Sequence, residues 1–170
     1  MVDKLRKVSN LQPRVIATYE NANGMANMYS TDHVIRDVPE REARLKEALD
    51  SLQRAEENLP NDWANTCDLG SLDLRRGILA RDRDPANQQA VDAHFDEAKK
   101  RLTQVIEELR PGHGFALYEL GIVHRVWGRW DEARAYLDKA AAVPPEYRDI
   151  ADEEVNEQKS RTTGTDKSFP

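Results

Sequence analysis

The chain has 170 residues, of which 39% are hydrophobic and 33% charged, with a mean hydropathy of −0.80. This composition is typical of stacked amphipathic helices with wet outer faces, and the length suggests one compact domain with no room for a second catalytic one. Twenty-five Lys and Arg against 31 Asp and Glu leave a formal charge of −6. That balance disfavours a nucleic-acid partner, because neutralising phosphates requires clustered positive charge.

The cysteine count and the hydropathy pattern predict a cytoplasmic protein without a membrane span. Cys67 is the single cysteine, so no intrachain disulfide can form, which fits a reducing compartment. The N-terminal residues lack the apolar core of a signal peptide. No stretch approaches the roughly 18 uninterrupted apolar residues that a membrane-spanning helix needs.

Two helices are predicted in the first third of the chain. Apolar side chains recur at spacings of three and four between Leu11 and Tyr29 and predict the first helix. Asp37 then offers a cap, and Pro39 an early-turn proline, for a second helix that runs to about Leu59. Its predicted buried stripe consists of Leu45, Ala48, Leu49, Leu52, Ala55 and Leu59.

A third helix is predicted directly after the second. Pro60 ends the second helix, and either Asn61 or Asp62 can cap the next, whose apolar residues continue at helical spacing through Ile78. Such a short connection places consecutive helices side by side and antiparallel, as in a helical repeat array.

A charged loop over residues 81–84 is predicted to precede the fourth helix. Asp84 would cap this helix and Pro85 would be its first residue. The helix would then run to about Leu109. The sequence Pro-Gly-His-Gly over residues 111–114 is the clearest helix breaker in the chain, because proline and glycine both end helices.

A helical hairpin is predicted after this breaker. Its first helix would span residues 114–127, Gly128 would make the turn, and Asp131 would open a second helix that ends near Val143. A final helix from Pro144 would carry a narrow apolar face among acids, as a capping helix does. We therefore predict one helical domain over residues 1–158 and a flexible tail over residues 159–170.

This last hairpin, over about 114–145, resembles a tetratricopeptide repeat. The family pattern is W-x2-L-G-x2-Y, then A-x3-F, then P. The matching residues are Leu117, Leu120, Gly121, His124, Ala133, Leu137 and Pro145. Gly128, Trp130 and Ala140 also occupy positions where the family usually has glycine, an aromatic residue and alanine.

Two divergent units lie upstream and keep their second helices better than their first. The stripe Trp130, Ala133, Leu137, Ala140 and Pro145 recurs as Phe95, Ala98, Leu102, Val105 and Pro111, and again as Leu45, Ala48, Leu52, Ala55 and Pro60. In the first helices the small residue at the helix crossing is less clear. Either Cys67 or Gly70 fits the middle unit, and Ala26 fits the first unit better than Gly24.

Extra residues separate the two halves of both upstream units. Twelve residues separate Gly121 from Ala133, whereas 28 separate Gly70 from Ala98. These insertions either lengthen the helices or form loops at one edge of the array, where loops could shape a partner site. A plain spacer role carries equal weight.

The resemblance implies an all-α fold of antiparallel hairpins stacked as a short α-solenoid of about three repeats with a C-terminal capping helix. It also implies a non-enzymatic protein-interaction module, acting as adaptor, scaffold or accessory subunit. In the family, the first helix of each unit lines the binding groove. The implied partner-binding residues are Phe115, Tyr118, Ile122, Arg125 and Val126. This mostly apolar set predicts an apolar peptide or helix of another protein as the ligand.

Three alternatives remain open at this stage. The predicted binding residues could instead be covered by other parts of the same chain, or the chain could associate with a copy of itself. It could also be a small helical enzyme or ligand-binding bundle whose site is not recognisable. No catalytic residue, cofactor or metal site is predicted, because no known nucleotide-binding, hydrolase or metal-ligand motif occurs. Cys67 is interpreted as a buried small hydrophobe.

Overall fold

A computed structural model describes residues 13–33 and 37–144, and this part of the chain contains six α-helices and no strand. The helices are α1 (Pro13–His33), α2 (Val38–Asn58), α3 (Trp63–Arg83), α4 (Gln88–Gln104), α5 (Gly114–Val126) and α6 (Trp130–Ala142). A π-helical turn, Val105–Leu109, continues α4. The prediction of an all-α fold is confirmed. The predicted capping helix and tail lie outside the described residues.

The helices are arranged as three consecutive hairpins. Each first helix packs most extensively on the second helix of its own hairpin, so that α1 pairs with α2, α3 with α4, and α5 with α6. Helix α2 then packs on α3, and α4 on α5, which joins neighbouring hairpins. The first helices also touch each other, α1 with α3 and α3 with α5. This is the packing of a helical repeat array.

Two predicted caps are confirmed. A side-chain oxygen of Asp37 accepts a hydrogen bond from the backbone N–H of Glu40 at 3.1 Å, at the start of α2. Asp62 does the same for the N–H of Asn65 at 3.0 Å, at the start of α3. The choice between Asn61 and Asp62 is thereby settled, since Asn61 lies in the turn with φ of 59°.

The predicted start of the fourth helix at Asp84 and Pro85 is wrong. Helix α3 continues through Arg83, and the carboxylate of Asp84 accepts from the backbone N–H of Ala86 at 3.2 Å, closing a turn. The helix begins only after Asn87, whose side chain accepts from the N–H of Ala90 at 3.2 Å. Both Asp84 and Asn87 can cap a helix, and the turn occupies the first of them.

One glycine in each first helix allows the hairpin to close. A Cβ atom on Gly24 would lie 2.6 Å from the Cγ of Leu52, on Gly70 2.7 Å from that of Leu102, and on Gly121 2.6 Å from that of Leu137. Real Cβ atoms do not approach so closely, so a larger residue at any of these positions would force the leucine or its helix to shift. Gly70 rather than Cys67 therefore fills the crossing in the middle hairpin. The preference for Ala26 over Gly24 is wrong, because Ala26 is exposed.

The extra residues of the first two hairpins lengthen their helices. Helices α1, α2 and α3 each have 21 residues, whereas α5 and α6 have 13 each. Two apolar clusters fill the space between hairpins. One includes Met28, Leu52, Leu69 and Leu72, and the other includes Phe95, Leu102, Leu120 and Val123.

Candidate functional site

The candidate site is the surface formed by the three first helices, α1, α3 and α5, which we call the inner surface. These helices are neighbours because the glycine crossings let each first helix lie close to its partner while successive hairpins stack. The side chains that meet on this surface come from three distant segments of the sequence. Most of them are polar.

The predicted partner-binding residues divide into two groups. Tyr118 is 47% exposed and Arg125 is also exposed, so both can contact a partner from the edge of the inner surface. Phe115, Ile122 and Val126 are partly buried and pack on the core between the second and third hairpins. The accessible part of the predicted set is therefore one aromatic residue and one cation, which makes it smaller and more polar than a continuous apolar stripe. Its role in binding stays a prediction.

A buried hydrogen-bond network joins α1 to α3 on the inner surface. The side-chain amide of Asn21 donates to Asp68 Oδ2 at 2.9 Å and to Asn65 Oδ1 at 3.3 Å. Asn65 in turn donates to the backbone carbonyl of Leu52 on α2 at 3.1 Å. Asn65 and Asp68 are both buried, so their polar groups depend on these partners. The network fixes the relative position of the first three helices.

Asp68 is the group whose charge state responds to neutral pH. The pKa of its carboxyl is raised to about 7, mainly by burial and to a smaller extent by the charge of Glu119 on α5. The hydrogen bond from Asn21 and the charge of Arg75 act in the opposite direction. The inner surface thus contains a buried carboxyl group that changes its protonation state near physiological pH.

Arg75 connects the first helices of all three hairpins. Its guanidinium lies over the ring of Tyr29 on α1, with the carbon 4.9 Å from the ring centroid. Its Nη1 lies 3.6 Å from Oε2 of Glu119 on α5, and both side chains of this ion pair are largely buried. Burial and the charge of Asp68 raise the pKa of the Tyr29 hydroxyl, so this residue stays neutral at physiological pH.

The polar network was not predicted from the sequence, although the sequence contains a pattern that indicates it. Asn65, Asp68 and Arg75 recur at helical spacing within a helix whose remaining residues are mostly apolar. A polar stripe on a helix that is buried on its other faces indicates either a buried network or a binding surface. Its partners on α1, Asn21 and Tyr29, lie on one face of that helix, eight residues apart.

Further concave regions flank the helices, and two of them adjoin α3. A pocket of about 540 Å³ lies between α2, α3 and α4, with an apolar floor and a rim that includes Glu42, Lys46, Arg76 and Arg83. Glu42 and Arg83 pair with each other across it. A smaller pocket of about 200 Å³ lies beside Asn21 and Asn65. The rim charges of the large pocket are of both signs, so it selects no particular charge.

Two searches of the described residues bear on other classes of site. Within residues 13–33 and 37–144, no group of three or more His, Cys, Asp or Glu side chains is placed to hold a metal ion. In the same ranges, no helix combines the length and the apolar character that crossing a membrane requires.

Comparison with known proteins gives no relative from which a function can be transferred. No protein-family model matches the chain. No curated protein matches it at a significant level. A function can therefore be proposed from the geometry of the inner surface.

Proposed function

We propose that this chain is a non-enzymatic protein-interaction module that binds a peptide or helix of another protein on its inner surface. The proposal rests on the arrangement of the first helices of the three hairpins, which lie side by side and are connected by Arg75. Tyr118 and Arg125 are exposed on the last of these helices. A row of parallel first helices offers an extended concave surface, which repeat proteins use to bind partners.

The repeated helix crossing supports the resemblance to tetratricopeptide repeats. In each hairpin a glycine of the first helix faces a leucine of the second, four residues after a buried alanine: Ala48 and Leu52, Ala98 and Leu102, Ala133 and Leu137. This common register across three hairpins of different length favours descent from one repeated unit. Assignment to the family is part of the proposal.

The exposed residues indicate what the partner presents. Tyr118 offers an aromatic contact, and Arg125 a cation, two residue types that dominate the energy of protein interfaces. They lie two helical turns apart, a separation of about 10 Å. An extended peptide covers this distance in about three residues, so we expect an apolar residue followed or preceded by an acid at that spacing. A helical partner would place the same two residues about seven positions apart.

A role in binding or converting a small molecule is the second candidate, and Asp68 is the observation that favours it. A buried acid with a pKa of about 7 is the kind of group that active sites contain. The adjoining pocket has a volume of only about 200 Å³, however, below the range of roughly 300–1,000 Å³ that is usual for ligand sites. Asp68 also already accepts a hydrogen bond from Asn21. These observations favour the interaction module.

The test begins with affinity capture of the tagged chain from extract of its native cells, followed by binding measurements with each purified candidate partner. Tyr118→Ala and Arg125→Glu change exposed side chains and are expected to weaken binding at least about tenfold each. Lys100→Glu is the matched control, since Lys100 is exposed on α4 and its charge reversal leaves the inner surface intact.

Three results would count against the proposal. Equal affinity of the wild type, Tyr118→Ala and Arg125→Glu would show that the partner binds elsewhere. A weakening of the same size in Lys100→Glu would show that net charge, and not the inner surface, controls binding. Recovery of no specific protein would favour the second candidate.

A further inference from the structure

Both ends of α5 depend on a histidine. His113 is the N-cap residue of this helix, and His124 lies in its last turn. The ring of His113 contacts the start of α3, whereas that of His124 is enclosed between α5 and α6. An imidazole ordinarily gains a proton near pH 6.5, which makes histidine the side chain that responds to mild acidification. Whether each contact tolerates that proton decides how α5 behaves in acid.

The imidazole of His113 caps α5 as a hydrogen-bond acceptor. Its Nδ1 accepts from the backbone N–H of Ala116 at 3.3 Å, so this nitrogen carries no proton. The ring centroid lies 4.9 Å from that of Trp63, and the guanidinium of Arg110 lies over the same Trp63 ring at 4.0 Å. A proton on Nδ1 would remove the cap and place a second cation beside Arg110.

The charged groups that face His113 are cations. Arg110 precedes it in the turn, and Lys139 on α6 lines the same pocket of about 550 Å³. None of the described residues that line this pocket is an acid. Burial, and to a smaller extent the charge of Arg110, lower the pKa of His113 to about 4. Its ring therefore stays neutral well below pH 6.5 as long as the hairpin is closed.

His124 is enclosed without a polar partner. The residue is 3% exposed, and neither ring nitrogen has a hydrogen-bond partner among the described residues. Its ring stacks on that of Tyr136 of α6 at a centroid distance of 5.3 Å and lies 6.5 Å from that of Trp127. Protonation would add a charge and a second N–H donor to this site, and burying either without a partner is unfavourable.

The charges around His124 also oppose a proton. Burial is the main reason why the pKa of His124 is lowered. Lys99 on α4 and Arg129, which precedes α6, act in the same direction, whereas Glu132 at the start of α6 acts in the opposite one. The surroundings of His124 therefore favour the neutral ring in the closed hairpin.

We propose that the third hairpin is a pH-responsive element, in which protonation of His113 and His124 opens the contacts of α5 with the rest of the array. Opening exposes both rings to water, where each can hold its proton, so acid favours the open form. The first two hairpins respond in the opposite direction, because Asp68 loses its buried charge as the pH falls through its pKa of about 7. Acidification therefore releases α5 while α1, α2 and α3 stay packed.

The consequence for binding rests on the proposed function. Tyr118 and Arg125 lie on α5, so a partner that contacts them would bind the closed hairpin and be released in acid. Amide hydrogen exchange requires no partner, so it tests the pH response independently of partner binding.

Hydrogen exchange followed by mass spectrometry, at pH 7.5 and at pH 5 and corrected for the intrinsic exchange rate, measures the opening of each helix in the full-length chain. For His113 alone, pKa values of about 4 in the closed hairpin and about 6.5 in the open one predict that the amides of α5 lose about 30-fold in protection between these pH values. His124 should increase this loss. The amides of α1 and α2 should keep their protection.

Two substitutions remove the titrating rings. His113→Asn retains a side chain that caps helices but gains no proton, and it should reduce the loss of protection at least about tenfold. His124→Phe retains an aromatic ring against Tyr136, and the double variant should lose less than about threefold. If the phenyl ring disturbs the packing, His113→Asn alone still tests the 30-fold change.

His94→Gln is the matched control. His94 is also partly buried and has a lowered pKa, mainly because of burial, but it lines the pocket between α2, α3 and α4. The amides of α5 should lose as much protection in His94→Gln as in the wild type.

Three results would overturn the proposal. Protection of α5 that is the same at pH 7.5 and pH 5 in the wild type would show that neither ring opposes a proton. A loss in the double variant as large as that in the wild type would assign the response to other groups. An equal loss of protection in α1 and α2 would mean that the whole array unfolds and that the third hairpin is no separate element.

Discussion

Replacing Asp68 with asparagine should stabilise the protein, and the gain should grow with pH. Asparagine has the same shape and can still accept the hydrogen bond from Asn21, but it carries no charge in the buried inner surface. In the folded state the pKa of Asp68 is raised to about 7, mainly by burial, whereas an unfolded aspartate has a pKa of about 3.9. Between these two values the folded protein holds a proton that the unfolded chain has lost, so stability falls as pH rises.

The size of the effect follows from this difference in pKa. With pKa values of about 3.9 and about 7, ionisation of Asp68 lowers the free energy of unfolding by about 1.5 kcal/mol at pH 5 and by about 4 kcal/mol at pH 8. Below pH 3 both states are protonated and the cost vanishes. Asp68→Asn should therefore gain about 2.5 kcal/mol on the wild type between pH 5 and pH 8.

Urea denaturation followed by circular dichroism, at pH 5 and at pH 8, measures this difference. Asp96→Asn is the matched control, because Asp96 is exposed on α4. Its stability relative to the wild type should be nearly the same at both pH values. A loss of stability in Asp68→Asn at pH 8 would refute the reasoning, since it would mean that the ionised carboxylate is held by Arg75 more strongly than burial disfavours it.

Four further substitutions test the fold. Gly70→Ala should lower the free energy of unfolding by about 1–3 kcal/mol despite the better helix propensity of alanine, because the new Cβ would lie 2.7 Å from Cγ of Leu102; urea denaturation measures the change. Asn87→Ala should lower the free energy of unfolding by about 1 kcal/mol and Asp84→Ala should lower it by less, because Asn87 caps α4. Thermal unfolding measures both changes, and a larger loss in Asp84→Ala would mean that Asp84 is the cap. Gly112→Ala should cost about 1–2 kcal/mol in the same assay, because Gly112 has φ of +78° although nothing lies within 4 Å of a Cβ there.

The helices were predictable because the signals that set them are local. The spacing of apolar residues and the caps at Asp37 and Asp62 act over a few residues, so the sequence alone contains them. The start of α4 was not predictable in the same way, since Asp84 and Asn87 offer competing caps three residues apart. Only the closure of the turn decides between them.

The crossing glycines show a second limit. Gly24 and Ala26 are both small, and the resemblance alone does not separate them. The side of α1 that faces Leu52 depends on how two helices of 21 residues pack, which is a property of the whole hairpin. Gly24 is on that side and Ala26 is exposed.

The candidate site was predictable only in part, and distance along the chain is the reason. Tyr118 and Arg125 were identified because the resemblance to tetratricopeptide repeats implies that the first helix of the last hairpin lines a binding groove. The hydrogen bond between Asn21 and Asp68 joins residues 47 positions apart, on helices of different hairpins. Such a contact follows from the stacking of hairpins and has no local signature in either segment.

The network also determines which end of the inner surface is available to a partner. Arg75 is held by Tyr29 and Glu119, so an acidic partner would have to displace Glu119 to pair with it. Breaking a largely buried ion pair leaves a charge without a partner and is strongly unfavourable. Arg125 makes no ion pair with another described residue, and it is exposed. Under the proposed function, an acidic partner would therefore contact α5, while the polar residues of α3 hold the three first helices together.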